Sequence, residues 1–111
     1  MKFVVDIDGT ICTINELGYE NAQPIKERIE KLNKLYDSGH TVVYFTARGM
    51  GRTNDNEEEA RKLFYDMTKK QLELWEVKYH ILLLGKPSGD IYIDDKGINA
   101  DIFFKSDSTI K

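Results

Sequence analysis

The sequence predicts an α/β domain with a mostly parallel sheet of four to five strands and helices on both faces, in three layers. Apolar runs of strand length alternate with segments of helical period, the pattern of strand, helix and strand that builds parallel sheets. Two of those runs end in paired aspartates. The 111 residues, 41% hydrophobic and 32% charged, suit one soluble domain spanning 1–111 with a single core.

The elements follow in order. "KFVVDID", residues 2 to 8, reads as a buried strand. A helix runs from about Pro24 to Asp37: Pro24 suits the first turn, Ile25, Ile29, Leu32 and Tyr36 recur at helical spacing, and Gly39 stops it. Thr41 to Thr46 is a second strand. A second helix spans about Asn56 to Trp75, and Glu57, Glu58 and Glu59 at its start suit the positive end of the helix dipole. "YHILLLGK" is a third strand and "DIYIDDKG" a fourth, while Ile102 to Phe104 adds a short edge strand. The polar stretch "RGMGRTNDNEEE" is read as a mobile loop.

Several classes are excluded. No apolar run approaches the ~18 residues a membrane helix needs, and the chain enters a strand with no signal-peptide pattern, so a cytoplasmic protein is expected. Cys12 is the single cysteine, which rules out an intramolecular disulfide and a thiolate zinc cluster. A net charge of −3 carries no global footprint for nucleic acid or anionic membrane.

In parallel sheets, ligands bind beyond the carboxyl ends of the strands. Here that edge collects Asp6 and Asp8, Thr46 and Arg48, Lys86, and Asp94 and Asp95. Ionised carboxylates without partners are costly away from water, so four of them call for a cation. Oxygen donors suit Mg²⁺, and a lysine with a hydroxyl beside it suits the phosphoryl group of a small phosphorylated substrate. Arg48 is read either as a substrate contact or as half of a surface ion pair. Cys12, His40 and His80 read as structural residues, and Glu57 to Glu59 as a solvated helix start.

"DIDGT" after an apolar strand, "FTAR" ending the second, "GKP" after the third and "IDD" ending the fourth resemble, in order, the four motifs of the haloacid dehalogenase superfamily of phosphohydrolases. The resemblance runs from Phe3 to about Asn99 and implies a Rossmann-like fold. It implies Asp6 as the nucleophile that becomes an aspartyl-phosphate, and Asp8 as general acid and then base. Thr46 and Lys86 would hold phosphoryl oxygens. Asp6, the Asp8 carbonyl and Asp94 would bind Mg²⁺, with Asp95 as direct or water-mediated support. Gly9, Thr10, Ala47 and Arg48 would line the substrate.

Members of that superfamily commonly enclose small substrates with a cap domain, and this chain has no room for one. An open site is expected, covered by the loop Gly49 to Asn56 or by a second subunit. Short capless relatives associated with capsule or lipopolysaccharide synthesis, whose substrates are sugar phosphates, have a similar "GKPSGDIYIDDKGIN"; other capless members act on phosphoproteins. Receiver domains of signalling proteins use a similar chemical set in a different motif order, and a relic that binds metal without turnover is a further reading. The superfamily's strand order sets the fourth strand beside the first. Gly85 to Asp90 would then have to cross two strands near its full extended reach, unless "LLLGKPSGDIYI" forms a partial hairpin.

Overall fold

β-branched and aromatic residues dominate both opening strands, and they pair as expected. In the computed structural model, which describes residues 1–105, β1 is Lys2–Val5 and β2 is Thr41–Thr46, joined in parallel with Phe3 opposite Val42 and Val5 opposite Tyr44. β3, Ile81–Leu84, lies on the other side of β2, with Leu84 opposite Thr46. The described sheet thus has three strands in the order β1-β2-β3.

Helix α1, Lys26–Asp37, follows β1. Pro24 lies just outside it, in an isolated bridge with Cys12, and Ile25 takes the cap position. The buried stripe is Ile29, Leu32 and Leu35; Tyr36 is only half-buried. Helix α2, Glu57–Leu74, is capped by Asn56, whose side chain accepts from the Glu59 N–H, with Trp75 closing the other end. A last helix, α3, is Ala100–Lys105.

Two expected strands are absent from the described residues. Ile91 to Asp95 pair with nothing and are exposed, and Ile102 to Phe104 lie within α3, where Phe103 packs into the core. Alternation of apolar residues over so short a run does not separate a strand from the buried stripe of a helix. The stretch 49 to 56 is built from hydrogen-bonded turns, and Met50 within it is buried.

Strand alternation divides the sheet into two unequal faces. Val42, Tyr44, Leu82 and Leu84 join Ile29, Leu32, Leu35, Phe64, Leu72 and Phe103 in one buried cluster, so all three helices contribute to the same face. Val4, Val43, Phe45, Ile81 and Leu83 point the other way and stand outside that cluster. The described residues therefore form two layers where three were expected. Among them, no helix is long and apolar enough to cross a membrane.

Candidate functional site

The strands are parallel and in register, so the residues that follow them emerge at one edge. Asp6 leaves β1 directly. The chain then turns sharply: the N–H groups of Thr10 and Ile11 both donate to the Ile7 carbonyl, and Gly9 takes φ +81°, a left-handed conformation that a side chain would strain. Ile7, Ile11 and Cys12 are fully buried beneath this turn, which fixes the two aspartates above them.

Lys86 reaches the same edge from β3, held because its N–H donates to the Thr46 carbonyl at 3.2 Å. Gly85 before it has φ +102° and lies against Glu57, where a Cβ would come within 2.6 Å of that side chain. The Lys86 ammonium stands 3.8 Å from an Asp6 oxygen and 4.2 Å from the centre of the Tyr92 ring. Asp6 remains 37% exposed. Burial pushes its carboxyl above the ordinary aspartate value and Asp8 adds to this, while the Lys86 charge, the Ile7 N–H and Arg48 oppose it.

Arg48 corrects the reading of a substrate contact or surface pair. It is wholly buried, and its Nε and Nη2 donate to Oδ2 and Oδ1 of Asp8 at 2.9 and 3.0 Å. Its Nη1 donates to Gln71 Oε1 at 2.7 Å and Thr68 Oγ1 at 3.2 Å, and the guanidinium lies over the Tyr19 ring. Tyr19 is tied down in turn: its carbonyl accepts from Gln71 Nε2 and its hydroxyl from the Gly49 N–H. Cys12 Sγ donates to Asp8 Oδ1 at 3.5 Å, so Oδ2 is the less occupied oxygen of Asp8. Thr46 is also enclosed, its hydroxyl accepting the Arg48 N–H at 3.1 Å.

Tyr19, Thr68 and Gln71 carry no motif. The helical period places Thr68 and Gln71 on one stripe with Phe64, but nothing in that spacing says which strand-end cation they receive.

Asp94 and Asp95 do not join this group. Both are exposed, and Asp94 Oδ1 accepts the Lys96 N–H, a local bond that holds its carboxyl below the usual range. Among the described residues no three His, Cys, Asp or Glu side chains gather as a metal site. The expected convergence of four carboxylates is therefore replaced by two carboxylates and two cations, with Arg48 balancing Asp8 and Lys86 facing Asp6.

That balance also changes the case for Mg²⁺. Side chains already offset the charge of Asp6 and Asp8, so the metal is not needed to repay it. A phosphate ester would bring about two further negative charges. The exposed Asp6 carboxylate and the Asp8 carbonyl are hard oxygen donors that fit Mg²⁺, which keeps several waters and substrate oxygens when a protein offers few ligands.

No family model matches the chain, and no curated protein matches it. Among solved structures, the chain is similar to the crystal structure of a target protein from Vibrio cholerae. The identity is 29% and the TM-score 0.89, with 96% of this chain and 89% of that chain covered. The likeness supports the small parallel α/β fold, and coverage of that extent reaches into the segment after β3.

Proposed function

We propose that this chain is a cytoplasmic Mg²⁺-dependent phosphomonoesterase of the haloacid dehalogenase type, acting on a small phosphorylated metabolite such as a sugar phosphate. The observation that carries the reading is the meeting of Asp6 and Lys86, 3.8 Å apart at the carboxyl edge of the sheet, with a braced second carboxylate two residues on.

Asp6 attacks phosphorus to form the aspartyl-phosphate, and the bond to the ester oxygen breaks. The leaving oxygen takes a proton from Asp8, which enters the step in its protonated form with the proton on Oδ2, at the lone pair beyond the one facing Arg48 Nε. Asp8 then accepts a proton from the water that hydrolyses the acyl-phosphate. The Lys86 ammonium holds a non-bridging oxygen, and Thr46 fixes the start of the Arg48 loop, its hydroxyl proton serving a second oxygen. Gly9, Thr10 and Ala47 line the phosphoryl group from the neighbouring turns. Mg²⁺, held by Asp6 and the Asp8 carbonyl, supplies charge neutralisation for the phosphoryl oxygens when bound. Asp94 and Asp95, exposed in this structure, would complete the metal set where a segment 91 to 95 lies beside this edge.

The test is phosphate release from sugar phosphates, phosphoamino acids, nucleotides and an aryl phosphate, with Mg²⁺ or EDTA. Release that needs Mg²⁺ and disappears in Asp6→Asn is expected. Undiminished release by Asp6→Asn overturns the reading. The grip of Arg48 on both oxygens of Asp8 favours one second reading, a phospho-aspartate switch, in which acyl-phosphate formed from a small phosphodonor persists for minutes.

A further inference from the structure

Two surfaces of this chain lack a partner among the described residues. One is the outer edge of β1 with the helix-free face of the sheet beside it, where Val4 is 61% exposed and Ile81 and Leu83 are also exposed. An open edge of this kind is a template for a further strand. The other is the segment after β3, where Ile91, Tyr92 and Ile93 have strong strand preference yet join no strand: Tyr92 meets Lys86 and Pro87, at the start of the same segment, and Ile93 is 93% exposed.

The two match in pattern. β1 and its exit read Phe3-Val4-Val5-Asp6, and the segment reads Ile91-Tyr92-Ile93-Asp94. Laid parallel, with Ile91 to Ile93 beside Phe3 to Val5, they bring Asp94 beside Asp6.

The chain's own segment could make that parallel pairing only with its connection drawn straight. It leaves the sheet from β3, at the far edge. Three strand spacings amount to ~14 Å across, with ~13 Å back along the strand, a straight line of about 20 Å. The residues from Gly85 to Asp90 reach about 20 Å fully extended, which leaves no slack for a detour around the turns at that edge. A second molecule has no such constraint.

We propose that a second copy of this chain lays residues 91 to 95 along β1, and that the exchange is mutual. It forms a two-fold pair in which each arm closes the other's open edge and covers Val4, with main-chain hydrogen bonds supplying affinity. Each site then takes Asp6, Asp8 and Lys86 from one copy and Asp94 and Asp95 from the other. This last assignment rests on the phosphatase reading.

Light scattering after size exclusion reads the pairing without any activity. A dimer is expected, with Ile93→Asp and Val4→Asp, both at exposed positions, shifting it to monomer while the circular dichroism stays unchanged. A monomeric wild type, or a dimer indifferent to both variants, overturns the proposal. For the shared site, Asp6→Asn and Asp94→Asn chains are unfolded together and refolded. Random pairing leaves one intact site in half of the dimers, so the mixture regains about a quarter of wild-type turnover. No regain from a mixture shown to be dimeric overturns the assignment of Asp94 across the pair. A dimer with no turnover on any ester removes the phosphatase reading and leaves the exchange standing; Mg²⁺-dependent turnover by a monomer does the reverse.

Discussion

Arg48 grips Asp8 through both carboxylate oxygens, at 2.9 and 3.0 Å, with a side chain that has no solvent exposure. Removing one member of such a pair strands the other, together with Gln71 and Thr68. Arg48→Ala is expected to cost about 3 kcal/mol, the lower end for a broken buried pair because Asp8 is itself 20% exposed. Urea denaturation checks it. Arg48→Lys keeps the charge and loses the two-pronged geometry, so its turnover falls more than its stability; equal losses in both would assign Arg48 to the fold alone.

Asp6→Asn is expected to raise the melting temperature while abolishing turnover. The folded-state value of Asp6 lies above the ordinary aspartate value, chiefly through burial, so the folded chain binds this proton more tightly than the unfolded chain. The ionised group therefore opposes folding in full above the folded value, and the penalty fades as pH falls through it toward the unfolded one. The difference in melting temperature between variant and wild type accordingly shrinks as pH is lowered through that window. A variant less stable than wild type at neutral pH contradicts this account.

Cys12 is expected to resist alkylation in the folded protein. Burial, with Asp8 beside it, pushes the thiol up to about 12, so the reactive thiolate is scarce at pH 8. Mass spectrometry after iodoacetamide treatment should show an unmodified native chain and a single adduct in denaturant. Rapid labelling of the native chain would show that the turn over Cys12 opens readily.

Tyr44 points to a gain of stability. Its hydroxyl is buried with no hydrogen-bond partner among the described residues, while its ring lies edge-on to Tyr79 in the core. Tyr44→Phe keeps the ring and removes an unsatisfied polar atom, and is expected to stabilise by up to about 1 kcal/mol. A loss in thermal unfolding would reveal a partner for that hydroxyl.

The edge that carries the site was legible because it depends on local order: strands alternating with helices place Asp6, Thr46 and Lys86 at one end whatever the packing. The role of Arg48 was not legible, since its burial depends on Tyr19, Thr68 and Gln71, which reach it from a loop and a helix distant in sequence. The strand expected at Ile91 to Asp95 rests on propensity, and propensity cannot say which edge lies within reach of the connection. Phe103 shows the complementary failure, because the same short apolar run serves a helix once α1 offers it a place to pack.

The pairing of Asp8 with Arg48 and of Asp6 with Lys86 has a kinetic consequence. Four formal charges that cancel at close range cast little field into solvent, so an anionic ester gains no electrostatic steering toward this edge. Its association rate is then set by diffusion and orientation, and added salt, which slows steered encounters sharply, should leave kcat/KM nearly flat.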